Sequence, residues 1–251
     1  MAENRGFARP QTTAARTGTD VIDEGLRAYM LRVYNYMAIG LAITGVAAFG
    51  TFLMAVDRSG GSAQLTSFGL FLFTSPFKWV VMLAPLGMVF FISAKVQSMS
   101  VSSAQTAFWV FAGLMGLSLS SIFLVYAQGS IARVFFITAA TFGAVSLYGY
   151  TTKRDLSGWG SFLFMGLIGI IIASIVNIFL GSTMLQFVVS VIGVLVFTGL
   201  TAYDTQRIKE TYYAGDGGEV AGRKAIMGAL SLYLDFINLF LMLLRLFGGR
   251  E

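Results

Sequence analysis

Apolar residues in this chain come in long, nearly unbroken runs, not in the alternation of a half-buried strand. A helix needs about 20 mostly apolar residues to cross ~30 Å of hydrocarbon at about 1.5 Å rise per residue. Seven runs meet or approach that length: Val33–Val56, Trp79–Ala94, Thr106–Tyr126, Val134–Tyr150, Ser161–Leu180, Leu185–Asp204 and Ile226–Phe247. The second is short and contains Pro85, which removes a backbone donor and predicts a kink that a bundle can absorb. A β-barrel is excluded, because its strands would alternate apolar and polar positions. The expected fold is all-α, a polytopic membrane protein built as a seven-transmembrane-helix bundle.

Residues 1–31 differ in kind. They are rich in charge and hold little apolar periodicity before Tyr29. Met1–Thr19 is expected to be disordered and Asp20–Leu31 to form a short amphipathic lead-in. The organisation is then a partly disordered N-terminal tail (1–31) and a transmembrane domain (32–251). A cleaved signal peptide does not fit, since the first apolar run starts too late and is too long. With these spans, twelve Lys and Arg fall on the N-terminal side of the membrane and five on the other. That bias predicts a cytosolic N-terminus and, for an odd number of spans, a C-terminus outside.

Composition narrows the chemistry. Of 251 residues, 56% are hydrophobic and 12% charged, where a soluble domain carries about 25% charge. Cysteine and histidine are both absent, which removes disulfides, thiolate zinc sites, cysteine nucleophiles and every imidazole-based mechanism. The net charge of +5 does not indicate nucleic acid, because the basic residues are scattered between apolar runs. Ionisable chemistry must come from Asp, Glu, Lys, Arg or Tyr.

Lipid gives helices no hydrophobic reason to associate, so small residues must allow close backbone contact. Ala112, Gly116 and Ser120 line up in the third span, and Gly166, Gly169, Ala173 and Asn177 in the fifth. Both stripes read as packing surfaces. Asn177 adds a buried amide that would serve as structural glue or as part of a polar path. Gly215-Asp-Gly-Gly-Glu219 lacks the spacing of an EF-hand and the Gly-Lys-Ser/Thr of a P-loop, and reads as a flexible turn.

Ten of the twelve acidic residues lie in tails or loops, but Asp204 ends the sixth run and Asp235 sits inside the seventh. A charge at mid-bilayer costs about 2.5–3.5 kcal/mol on insertion scales, so each requires a partner. Ser231, Asp235, Asn238, Met242 and Arg245 share one face of the last helix, which should point into the bundle. The predicted topology brings Asp204 and Asp235 towards the same side on neighbouring antiparallel helices. At contact they cannot both ionise readily, so they are expected to share a proton and titrate as a unit. In a chain without histidine such a pair is a means of sensing pH. The plainer alternative is that each bonds a nearby hydroxyl, amide or arginine, with Arg207 the candidate for Asp204.

Around these two acids the sequence resembles the Bax inhibitor-1 (transmembrane Bax inhibitor motif) family, in a bacterial-type form. The resemblance rests on Thr201-Ala-Tyr-Asp204-Thr-Gln-Arg-Ile-Lys and Ser231-Leu-Tyr-Leu-Asp235-Phe-Ile-Asn238-Leu-Phe. Lys153-Arg154-Asp155-Leu156-Ser157 and Arg32-Val-Tyr-Asn-Tyr-Met add to it, and it extends from residue 20 onward. It implies a seven-helix protein of the bacterial cytoplasmic (inner) membrane that conducts a passive, pH-sensitive calcium leak. It also implies that Asp204 and Asp235 form a hydrogen-bonded proton sensor near the cytosolic mouth. Ca²⁺ is a hard cation that takes oxygen ligands, so the ionised pair is expected to attract it in competition with protons. Some members latch this pair to a basic residue at the end of the second span, for which Lys95 is the nearest candidate. Arg207, Asn238 and Asn177 are supporting candidates. No carboxylate lies between Trp79 and Ala94, where some members carry one. The implied partners are the lipid bilayer, Ca²⁺ and protons. No cofactor and no enzymatic activity is expected.

Two other classes compete. A non-conducting regulator would bind a membrane protease or another partner through the N-terminal tail. An intramembrane aspartyl protease would also place two aspartates on neighbouring helices, and Tyr203-Asp204 suits one half of that motif. Asp235 follows Leu232-Tyr233-Leu234 instead of Gly-x-Gly, and no Pro-Ala-Leu element is present. A proton-coupled transporter would show inverted repeats or paired broken helices, and neither is evident.

Overall fold

The computed structural model describes residues 18–57 and 64–249. Eight helices form among them: α1 (Gly18–Ala55), α2 (Ser67–Thr74), α3 (Phe77–Lys95), α4 (Val101–Leu119), α5 (Gln128–Thr151), α6 (Ser157–Leu180), α7 (Thr183–Glu210) and α8 (Gly218–Phe247). All but α2 are long and apolar enough to cross a membrane, so this is an integral membrane protein with seven spans. Every expected span is present, and each helix is longer than the apolar run that predicts it except α4, which reaches 24 residues only with the 3₁₀ turn that continues it to Leu124. The added turns carry polar side chains, which reach water at the ends of a span while the helix still satisfies the backbone.

Two expectations change. The segment Asp20–Leu31 is not a separate lead-in, because α1 runs unbroken from Gly18 into the membrane. The disorder expected for Met1–Thr19 lies outside the described residues up to position 17, and Gly18 and Thr19 are helical. Pro85 is buried within an uninterrupted α3. The short α2 is unforeseen, as eight residues cannot span. It follows a two-residue antiparallel ladder, β1 (Val56–Asp57) against β2 (Gln64–Leu65), and leans on the end of α1. Thr66 caps α2, accepting the Gly69 N–H at 3.1 Å and donating to the Met54 carbonyl at 2.9 Å. Gly69 itself sits so close to the Ala55 carbonyl that no side chain fits there.

Helix α8 is the axis of the bundle. It packs against α7, α1, α5 and α4. At its centre Tyr233 is fully buried; its hydroxyl lies 2.6 Å from that of Thr44, which lies 2.9 Å from the Ala112 carbonyl. One short chain of hydrogen bonds thus ties α8 to α1 and α4, with the rings of Phe108 and Phe111 edge-on to the tyrosine. A second chain joins α1, α5 and α7 through Tyr34, Ser146 and Thr205, with hydroxyl separations of 2.6 and 2.9 Å.

The stripe Ala112, Gly116 and Ser120 is buried, and a side chain at Gly116 would strike the Thr44 carbonyl and Ala47 of α1. The stripe on α6 is only half right. Gly166 faces Val196 of α7, but Gly169 faces open space. The buried line runs through Gly160, Leu163 and Ile170 instead, because α6 has α7 as its one extensive neighbour and needs only a narrow strip.

Candidate functional site

The end of the bundle nearest the start of α1 gathers the connections 96–100, 152–156 and 211–217. Side chains of α7 and α8 lock them in place. Gln206 accepts the Leu156 N–H at 2.7 Å and donates to the Arg154 carbonyl at 2.8 Å, while Lys209 donates to the Tyr150 carbonyl at 2.9 Å. Arg223 donates to the Met99 carbonyl at 3.1 Å, and Glu219 accepts the Val101 N–H at the same distance. The Gly215–Glu219 stretch is therefore an anchored connection, not a free turn. Its Asp216 pairs with Lys224 at 2.6 Å, and Glu219 lies 3.5 Å from Arg223.

Behind this rim Asp204 faces α8 from a point less than two turns before the end of α7. Thr201 and Thr205 turn their hydroxyls back to the carbonyls one turn earlier, at 2.7 Å each, so their polar groups are satisfied within α7. A cavity of about 480 Å³ opens between α6, α7 and α8, lined by Ser161, Asp204, Arg207, Ser231, Asp235 and Asn238. A second, of about 210 Å³, lies nearer the connections and is lined by Gln97, Asp204, Arg207, Thr211, Arg223 and Lys224. Asp204, Arg207 and Ser231 border both, so the two cavities meet at Asp204. Asp235 borders only the first, four residues along α8 from Ser231, which places it about 6 Å deeper in the membrane.

The two acids have different surroundings. Asp204 is half-buried, and its charged neighbour is Arg207, which is exposed. Asp235 is 5% exposed, its charged neighbour is Asp204, and its Oδ2 is buried without any hydrogen-bond partner. A buried acceptor without a donor costs about 1–3 kcal/mol, more when charged. A proton or a cation at that oxygen would remove the penalty. Asn238 does not supply it, since its amide donates to the Leu234 carbonyl at 2.8 Å.

Of the residues singled out in the sequence, Asp204, Arg207, Asp235 and Asn238 come together around one cavity. Two do not. Lys95 ends α3 exposed and lines neither cavity; the chain tightens at once into a 3₁₀ turn, Val96–Ser98, which carries Val96 inward and leaves the lysine outside. Asn177 lies at the opposite end of α6, where it accepts the Ser182 N–H at 3.0 Å, about 30 Å from Asp204 along α7. Its stripe holds the α6–α7 corner and no polar path. Gln206, Arg223 and Lys224 were missed, because polar and charged residues beyond an apolar run read as solvated loop. Their signal is Gly217–Arg223, a helix start that the apolar pattern hides.

Among the described residues no three or more of His, Cys, Asp and Glu cluster as a metal-holding group. Asp204 and Asp235 offer two carboxyl groups where Ca²⁺ takes six to eight oxygens.

The family model described as the inhibitor of apoptosis-promoting Bax1 matches residues 26–251. The chain is 49% identical over 245 residues to the uncharacterized protein RP147 of Rickettsia prowazekii, covering 98% of each. It is 48% identical over 229 residues to the inner membrane protein YbhL of Escherichia coli K12, covering 90% of this chain and 94% of YbhL. An uncharacterized membrane protein of Streptococcus pyogenes is 37% identical over 230 residues, with 91% and 96% covered.

Proposed function

This chain belongs to the Bax inhibitor-1 family, and on that premise we propose that it is a pH-sensitive calcium leak channel governed by a proton shared between Asp204 and Asp235. It resides, in this reading, in a bacterial cytoplasmic membrane, as the name of its Escherichia coli relative suggests, with the Asp204 end towards the cytosol. The carrying observation is the unpartnered Asp235 Oδ2 in a cavity shared with Asp204. With one proton on the pair, that oxygen has a hydrogen-bond partner and the cavity holds one negative charge. Without it, two carboxylates face each other in a low-dielectric wall, repel, and draw in a divalent cation. The two charge states therefore favour different spacings of α7 and α8, and the cavity between them is the step an ion would cross.

The test is Ca²⁺ flux into proteoliposomes from about pH 5 to about pH 8. Wild-type flux changes across that range. Asparagine has the shape of a protonated carboxyl and cannot ionise, so Asp235→Asn and Asp204→Asn hold flux at the wild type's acid-end level throughout. Variants that keep the wild-type flux and pH profile would remove the pair from the gate.

A further inference from the structure

On the opposite face of α8 from Asp235 the bundle is hollowed. No extensive packing joins α1 to α5, and two adjoining hollows of about 650 and 740 Å³ lie between them, sharing Met37, Ala38 and Phe142 as walls. Phe236, Ile237 and Phe240 of α8 form part of the floor, turned about 100–200° around the helix from Asp235. The lining along α1 runs from Arg27 to Ala48, about 30 Å of helix, which matches the hydrocarbon thickness. The walls are mostly apolar through this height, broken by Thr44 and Gln128 and by Tyr34 and Ser146, whose hydroxyls lie 2.6 Å apart across the hollow, and they turn basic near the start of α1. There Arg27 and Tyr150 line the hollow, and Lys209 reaches the Tyr150 carbonyl at 2.9 Å with its ammonium 5.6 Å from the tyrosine ring centre.

We propose that this groove binds one anionic phospholipid, its acyl chains between α1 and α5 and its phosphate held by Arg27 with Lys209 beside it. A membrane-high apolar groove ending in positive charge complements a molecule with apolar chains and an anionic head. The guanidinium fork suits phosphate oxygens, and basic residues at this depth reach the headgroup layer. The lipid and the Asp204–Asp235 cavity lie on different faces of α8 and do not compete for space. Gly143 lines the hollow beside Arg27 and has open space where a side chain would begin, so the groove can be filled without disturbing the core.

The test uses the purified full-length protein and native mass spectrometry with phosphatidylglycerol and phosphatidylcholine of identical chains. The wild type retains one phosphatidylglycerol with about fivefold preference over phosphatidylcholine, the scale of one basic residue at a membrane surface. Arg27→Gln loses the preference and keeps the chain contacts. Gly143→Leu loses both lipids while the lipid-free protein melts as the wild type does. Equal retention of the two lipids by the wild type, or undiminished phosphatidylglycerol in both variants, overturns the proposal. So does a wild-type dimer that Gly143→Leu dissociates, which would assign the groove to a second copy of the chain.

Discussion

Helices α6 and α8 both cross the membrane, yet they live in different solvents. In the most apolar stretch of α8, 72% of residues are buried inside the protein, against 11% for α6. The more apolar helix of the two is the peripheral one. In a soluble protein that order would be reversed. Here the lipid-facing helix must be apolar all round, whereas the central helix is covered mostly by protein and can carry Asp235, Asn238 and the tyrosine hydroxyl at its heart. Hydropathy in a membrane protein thus reports exposure to lipid, and a polar residue in a span reports an interior.

The comparison can be broken most directly by removing equal volumes from the two helices. Leu239→Ala, at a fully buried position of α8, should cost about 2–5 kcal/mol in reversible unfolding from mixed micelles. Ile178→Ala on the exposed face of α6 should stay within about 0.5 kcal/mol, because lipid chains refill the space. Equal losses would erase the distinction. Next in size is a carboxylate in the wrong place. Ile172→Asp on α6 should cost about 2.5–3.5 kcal/mol in the same assay, where Asp235→Asn costs far less. A tolerated Ile172→Asp would mean that α6 is covered by protein in the membrane. Thr44→Val keeps the shape of the α8 contact and leaves the buried Tyr233 hydroxyl short of a partner, an expected loss of about 1–2 kcal/mol. No change there would show that the hydroxyl chain does not hold the axis.

The smallest effect sits at the start of α6. Asp155 is exposed, and hydrogen bonds from Ser157, including its N–H at 2.8 Å, hold the carboxyl below the usual aspartate range. A lowered folded-state value contributes stability above the ordinary aspartate range and loses it as pH falls through the folded value. Asp155→Ala should therefore melt slightly earlier than wild type at neutral pH and together with it in acid. A difference that persists in acid would place the contribution elsewhere.

Much of this molecule can be read along the chain. Seven spans and the two acids on the last pair of helices follow from residue types alone, because lipid imposes one rule on every span: apolar outside, no free backbone group; the family is a resemblance carried by the motifs around Asp204 and Asp235. Asp204 and Asp235 stand out for the same reason, as exceptions to that rule. The small-residue stripe of α4 was legible because α4 packs along its length on α1. That of α6 was legible only in part, since spacing cannot say how many neighbours a helix has. Lys95 and Asn177 stand outside the cavity for a similar reason: a 3₁₀ turn leaves the one at the surface, and the other occupies the far end of α6. Gln206, Arg223 and Lys224 became part of the site only when three connections met at one end of the bundle. Composition and periodicity are local, so by themselves they determined the spans and the anomalous acids. Which helix became the axis, which cavity the acids share, and where α1 and α5 part were decided only by packing, because each depends on contacts between segments distant along the chain, for the first and the last more than a hundred residues apart.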